Sequence, residues 1–246
     1  MLKTVIYPIC NGNYTDSSIP MLMSLRSVER FLKEDVTVIV ISEKEPMYLS
    51  DEVIYVKCES YRNALDIATT LADEFLWMND DIMLLKDWTW DELRVWRRGK
   101  SEVSEEKQDA KINSNGAWNA RKGRVMKQLR EEGHTTYDFS THTPYLYNSA
   151  ILADVLSRFD YGYKTPVETA YGNVSGCDHE LKSGVLSRHH DGALPIDISS
   201  YGLLNFDDVG LTEHMVGFLL GMFPTPSKYE DMGTCDPSKL LTSRIK

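Results

Sequence analysis

Glu74-Phe75-Leu76-Trp77-Met78-Asn79-Asp80-Asp81-Ile82-Met83-Leu84-Leu85 is the stretch that decides how this chain is read. An apolar run that belongs in a core stops at Asn-Asp-Asp and then resumes. Two adjacent carboxylates beside Leu76, Trp77 and Ile82 would cost several kcal/mol if buried without a partner, and a cation is the natural partner. In an α/β protein, ligands bind at the open carboxyl end of a central strand. Adjacent carboxylates there suit a divalent ion that also touches a substrate diphosphate. The competing reading is a strand that ends in a polar turn, since Asn and Asp are good turn residues.

Upstream of that stretch the pattern alternates between strand and helix. Lys3 to Cys10 alternates, is rich in β-branched residues and reads as a first strand running into the turn-rich Asn11-Gly12-Asn13-Tyr14-Thr15-Asp16. Ser17 or Ser18 caps a helix with Pro20 in its first turn. Met21, Leu22, Leu25, Val28, Phe31 and Leu32 give that helix one apolar face, with Arg26, Glu29 and Arg30 largely off it. Val36 to Ser42 is almost continuously apolar, as a parallel strand covered on both faces should be. Val53 to Cys58 is a third strand, and Tyr61 to Glu74 has helical spacing through Leu65, Ala68, Leu71 and Ala72. Residues 1–85 therefore read βαββαβ, a nucleotide-binding type of half-sheet. The polar ends of strands one and four, at Asn11 to Asp16 and Asn79 to Asp81, would converge on one crevice.

Downstream the composition changes. Arg97 to Thr136 is highly charged and reads as a solvated insertion or a lid, with a mostly exposed helix over Gly123 to Glu132. Tyr145 to Leu152 is apolar again, and a helix is expected over Ser149 to Phe159. Tyr161 to Asp178 is loop-like, Cys177 to Lys182 opens a helix, Ser199 to Asp208 is polar, and Leu211 to Phe223 is a strongly apolar helix. Phe223-Pro224-Thr225-Pro226 cannot continue it.

The totals bound the class. At 246 residues the chain holds one substantial core, with at most a small appendage. The net charge of −10, from 27 basic against 37 acidic residues, argues against an indiscriminate polyphosphate binder. No apolar run reaches the ~18 residues of a membrane span. The start, Met1 to Pro8, reads as a strand and not as a signal peptide. Cys10, Cys58, Cys177 and Cys235 are dispersed without a Cys-x-x-Cys pair, which fits reduced thiols in a cytoplasmic setting and no structural zinc. There is no P-loop, no Gly-x-Gly-x-x-Gly after strand one and no Gly-x-Ser-x-Gly elbow.

What remains is a set of titratable clusters. Asp80 and Asp81 are the metal candidates. His142, in Thr-His-Thr-Pro, is a candidate base to deprotonate an acceptor hydroxyl, or simply a surface histidine. Asp178-His179-Glu180 would supply a base or a third metal ligand, or else is an acidic first helical turn. His189-His190-Asp191 is a weaker cluster of the same kind.

Four segments carry a resemblance. Ser24-Leu25-Arg26-Ser27-Val28-Glu29-Arg30, Phe75 to Asp81, Thr141-His142-Thr143-Pro144-Tyr145 and Phe223-Pro224-Thr225-Pro226-Ser227-Lys228-Tyr229-Glu230 follow one another as in the Stealth family of sugar-1-phosphate transferases. Arg62-Asn63 to Asp81 also resembles the nucleotide-binding half of GT-A glycosyltransferases. The resemblance implies a single GT-A-like α/β domain over 1–246, with a mostly parallel central sheet flanked by helices. Its parts would be a nucleotide-sugar-binding half at 1–90, an insertion or lid at 97–136 and an acceptor half at 137–246.

The same resemblance implies Mn²⁺ or Mg²⁺ on Asp80, Asp81 and His179, and a nucleotide-sugar donor, usually UDP-linked. Donor contacts would come from Pro8, Cys10, Asn11, Arg26, Arg62, Asn63 and Asn79, with catalysis by His142, Asp178 and Glu180. The family's Asp-x-x-Tyr-Thr-Trp-Val strand and its Gln-Asp-Asn have no clear counterpart here. Those departures favour transfer of the sugar alone to a hydroxyl acceptor over transfer of a sugar-1-phosphate. A compact divergent member also fits a phage enzyme that decorates hydroxymethylated DNA bases, against which the acidic charge speaks. The reading from another class is a non-catalytic nucleotide-sugar-binding module.

Overall fold

The computed structural model describes residues 3–10, 18–160, 165–188, 198, 200–207, 210–231 and 233. The N-terminal half follows the βαββαβ order, with strands β1 (Lys3–Ile9), β2 (Val36–Ser42), β3 (Val53–Lys57) and β4 (Glu74–Trp77) and helices α1 (Ile19–Phe31) and α2 (Tyr61–Leu71). Then come β5 (Ile82–Leu84), a 3₁₀ turn at Glu92–Arg94, β6 (Trp96–Arg98), α3 (Glu105–Ile112) and α4 (Ala117–Glu131). The C-terminal part holds β7 (Tyr145–Asn148), α5 (Ser149–Arg158), α6 (Val167–Ser175), β8 (His179–Leu181), β9 (Val185–Arg188), β10 (Leu203–Phe206) and α7 (Glu213–Met222).

The central sheet has the order β3-β2-β1-β4-β7. Its first four strands are parallel and β7 runs antiparallel to β4. The mixed α/β class with a mostly parallel, helix-flanked sheet is thus the one the sequence reading expects. Alternation along each strand divides the core in two. Val5, Tyr7, Val38, Val40 and Leu76 face α1, the second sheet and α7. Ile6, Ile39, Ile41, Phe75 and Trp77 face α2, α5 and α6. Because both of its faces are covered, β2 reads as a nearly continuous apolar run. Ser18 is the cap of α1, its hydroxyl accepting from Met21 N at 3.2 Å, and Pro20 lies in the first turn.

Several downstream expectations are corrected. Tyr161 to Asp178 is not all loop: α6 lies within it, begun after Pro166 and ended by Gly176 at φ 58°. Its Thr, Gly and Tyr residues are weak helix formers, and burial of Val167, Ala170 and Tyr171 overrides that propensity. Cys177 to Lys182 opens no helix. It forms β8, three exposed residues held by backbone pairing of Trp96, Arg97 and Arg98 with His179, Glu180 and Leu181. The segment read as polar contains β10, fully buried between β5 and β9 in a second sheet. Helix α4 is not mostly exposed, since Val125, Met126 and Leu129 are buried. Nor does Arg26 fall off the buried face of α1, being only 4% exposed.

One contact fixes the segment that leads to His142. A Cβ on Gly172 of α6 would lie 2.6 Å from two carbons of the Phe139 ring, which is fully buried. Gly172→Ala is therefore expected to destabilise the fold by about 1–3 kcal/mol through overpacking. Urea denaturation checks this, and an unchanged midpoint would mean the Phe139 ring moves aside.

Candidate active site

Strands β1 and β4 are hydrogen-bonded neighbours, with Val5 opposite Leu76 and Ile6 opposite Trp77. From β1 the sheet continues through β2 and β3 on one side and through β4 and β7 on the other. The carboxyl ends of β1 and β4 therefore flank a point where strand order reverses, the usual position of a ligand crevice in an open α/β sheet. Met78 extends β4 by donating its N–H to the Ile6 carbonyl at 3.0 Å. Asn79, Asp80 and Asp81 then make the turn, closed by Ile82 N–H to the Asn79 carbonyl at 3.2 Å, and all three are half-buried.

Helix α1 anchors the strand β5 that leaves this turn. The Ser24 hydroxyl donates to the Ile82 carbonyl at 2.5 Å, and the Ser27 hydroxyl accepts from Leu84 N at 3.0 Å. Tyr7 from β1 joins them through Ser24 at 3.0 Å. Burial pushes the Tyr7 phenol far up, with Asp80 among the smaller contributors, so it stays a neutral hydrogen-bonding group.

His142 arrives from the other half of the chain. Its Nδ1 lies 3.7 Å from Asp81 Oδ2, with the imidazole half-exposed and the carboxylate 23% exposed. The loop that carries it is clamped on both sides. Thr141 and Thr143 are buried and share a hydroxyl–hydroxyl contact of 3.1 Å. The Thr141 hydroxyl also donates to the Arg97 carbonyl at 3.1 Å, and its N–H donates to the Tyr145 phenol oxygen at 3.1 Å. Between these buried neighbours only His142 is exposed, and it has φ 53°. Its carbonyl accepts from Asn205 Nδ2 of β10 at 2.6 Å. Asn205 is fully buried, pairs with Ile82 across the β5–β10 ladder and sits beside Phe206, whose N–H points to the Asp81 carbonyl at 3.4 Å.

The remaining sequence candidates lie elsewhere or hold other partners. Pro8 is in β1 opposite Ile41. Cys10 follows β1 with its Sγ 3.3 Å from Cys58 Sγ, and burial, then the Cys58 contact, pushes its thiol up. Arg26 does not present its guanidinium to the crevice. Nε and Nη2 go to Glu230 at 2.8 and 2.6 Å, and Nη1 goes to the Phe223 carbonyl at 2.7 Å. Arg62 is bound to Asp66 and to the Leu156 carbonyl, and Asn63 Oδ1 accepts from Glu59 N at the start of α2.

The Asp178-His179-Glu180 cluster is also engaged. His179 Nδ1 accepts from Arg98 Nε at 2.8 Å and its ring packs on Tyr137 and Phe139, while Glu180 pairs with Arg97 at 3.0 Å. Asp178 accepts from Trp96 N through its backbone carbonyl. Among the described residues no group of three or more His, Cys, Asp or Glu side chains is gathered, so His179 does not complete a trio with Asp80 and Asp81. Asn11, His189-His190-Asp191 and Cys235 lie outside the described residues.

Sequence reasoning missed Asn205 and Glu168. An amide between Leu203-Leu204 and Phe206 is a buried polar group waiting for a partner, and that is the signal the sequence carries for it. Glu168 accepts from the Ser140 hydroxyl at 2.8 Å, two residues before His142, and burial raises its carboxyl above the ordinary range.

Neither a protein family model nor a curated protein sequence matches the chain. Among solved structures, two of the galactosyltransferase LgtC overlap 92% of this chain and 98% of theirs, at 8% identity and a TM-score of 0.48. One is an active-site mutant of that enzyme and the other a complex with donor and acceptor sugar analogues. The glycosyltransferase GlyE of Streptococcus pneumoniae TIGR4 overlaps 91% of this chain at 10% identity and a TM-score of 0.49, and the chain spans 61% of that protein. Overlaps of this size carry no activity across. Among the described residues no helix is long and apolar enough to cross a membrane.

Proposed function

We propose that the chain is a metal-dependent glycosyltransferase of the GT-A type, moving a sugar from a nucleotide-sugar donor, UDP-linked, to a hydroxyl acceptor. The observation that carries the reading is the Asp80–Asp81 turn at the carboxyl end of β4, beside β1, with His142 3.7 Å from Asp81. The donor set fits a hard divalent ion. Mg²⁺ is commonly held by one or two carboxylates while substrate phosphates and water fill the remaining positions, so a third protein ligand is not required. Bound there, Mn²⁺ or Mg²⁺ would neutralise the charge that develops on the departing diphosphate.

The chain's own residues supply the rest. Asp80 and Asp81 would hold the ion, while the α1 serines keep the strand after them from shifting. The donor crevice would lie at the carboxyl ends of β1 and β4, where Asn79 begins the turn that carries the two carboxylates. His142, exposed on a clamped loop, takes the acceptor hydroxyl proton. It is preferred to Glu180, which is already paired with Arg97. With a net charge of −10, a glycan acceptor is favoured over a modified nucleic acid.

Sugar-1-phosphate transfer is the second reading, carried by the order of the Stealth-like segments alone. The buried Arg26–Glu230 pair joins two of those segments but gives that chemistry no phosphate contact. Titration with UDP-, GDP- and CDP-sugars in the presence of Mn²⁺ tests the proposal. Metal-dependent binding and consumption of a UDP-sugar is expected. Binding without consumption would make the chain a nucleotide-sugar-binding module, and no binding of any donor would end the reading.

A further inference from the structure

His142 is the one non-glycine residue with a positive φ among the described residues. A left-handed conformation is unfavourable for a residue with a Cβ and persists only where its surroundings over-determine it. Here the hydroxyls of Thr141 and Thr143 hold each other, Pro144 comes next in the chain, and the His142 carbonyl is captured by Asn205 Nδ2 at 2.6 Å. Asn205 comes from the strand that pairs with the one after Asp81, so a single ladder links the amide to the carboxylate that His142 faces.

Asn205 is also retained against its own solvation. It is fully buried, and its Oδ1 has no hydrogen-bond partner among the described residues. An aliphatic side chain of similar size would fill that space without an unmatched acceptor. The amide is therefore explained by what its Nδ2 does, not by packing.

We infer that Asn205 is a positioning residue: its amide holds the His142 backbone in the left-handed conformation and so aims the imidazole at Asp81. The kinetic consequence rests on the proposed glycosyltransferase activity, whereas the conformational consequence does not. Without the amide, the 140–144 loop relaxes to an ordinary negative φ and the imidazole swings off the Asp80–Asp81 turn. The turn that carries the carboxylates stays put, because α1 holds the Ile82 and Leu84 backbone that follows it.

The test compares wild type, Asn205→Leu, His142→Gly and the double variant. NMR couplings that report φ at residue 142 should give a positive angle in wild type and a negative one in Asn205→Leu. Affinity for Mn²⁺ alone should change less than about twofold, since the amide acts through the His142 backbone and not on the carboxylates. In turnover with the donor that wild type consumes, Asn205→Leu should lower kcat by about tenfold or more, with the donor KM nearly unchanged. In the His142→Gly background the same substitution should have no further effect on kcat. A purely structural role would lower both backgrounds alike. Should Asn205→Leu not fold, Asn205→Ser, whose hydroxyl is too short to reach the carbonyl, is read in the same way. A positive φ that survives removal of the amide overturns the inference even if wild type proves active. A wild type that turns over no donor defeats the catalytic reading and leaves the φ measurement to decide this one.

Discussion

Asp81→Asn, and separately Asp80→Asn, is expected to leave a folded protein with metal-dependent turnover reduced about 10²–10³-fold. That factor corresponds to the several kcal/mol a Lewis-acid metal contributes, at about 1.4 kcal/mol per tenfold in rate. The fold should survive because the turn is held through backbone atoms and α1. Ile82 N–H bonds the Asn79 carbonyl, Ser24 bonds the Ile82 carbonyl, and Phe206 N–H faces the Asp81 carbonyl. None of these contacts uses a carboxylate oxygen. Turnover across a Mn²⁺ titration, with circular dichroism on the same samples, reads both halves of the expectation. Full metal-dependent turnover in either variant would remove that residue from the proposed site.

The second large effect concerns stability. Arg26 and Glu230 side chains are 3% and 0% exposed and are joined in a two-bond fork. Glu230 also accepts from Ser227 N and its hydroxyl, and Arg26 donates to the Phe223 carbonyl. The pair thus staples α1 to the segment after α7 across nearly the whole length of the chain. Removing one partner strands the other as a buried charge, which typically costs about 3–5 kcal/mol. We expect Arg26→Met or Glu230→Met alone to lower the urea midpoint accordingly. The double variant Arg26→Met/Glu230→Met should lose less than the sum of the single losses, because no charge is left behind. Single variants within about 1 kcal/mol of wild type would contradict the buried pair.

That pair also explains where sequence reading stops. Arg26 falls outside a helical face drawn from apolar residues, so a pattern of hydrophobicity assigns it to solvent. Its partner is 204 positions away, and no local pattern reports such a contact. By contrast β1, α1, β2, β3, α2 and β4 are legible because each is a periodic run bounded by turn residues. Ser18 and Pro20 announce α1, and both-face burial announces β2. The segments that are not legible are short and made by their neighbours. Strand β8 is three exposed residues whose only strand signature is pairing with β6. Helix α6 has poor propensity rescued by the Trp96–Tyr171 stack and the aromatic cluster around it.

The candidate site divides the same way. Asp80–Asp81 and His142 each stand out in sequence, the first as charge inside an apolar run and the second in its Thr-x-Thr-Pro frame. Their meeting at 3.7 Å depends on the second sheet, which has no sequence period of its own. The Asp178-His179-Glu180 cluster stands out equally, yet its imidazole and the Glu180 carboxylate are taken up by Arg98 and Arg97. Density of titratable residues marks a place to look and does not say which of them share a crevice.

The central claim is transfer of a sugar from a nucleotide donor, and the nucleotide released tests it most directly. In glycosyl transfer the acceptor oxygen attacks the anomeric carbon and the nucleoside diphosphate leaves. In sugar-1-phosphate transfer it attacks the β-phosphorus and the monophosphate leaves. With a UDP-sugar, Mn²⁺ and a competent acceptor, we predict UDP in equal amount to the glycosylated product and no UMP. Stoichiometric UMP without UDP, in protein free of phosphatase, would contradict the account and make this chain a sugar-phosphate transferase.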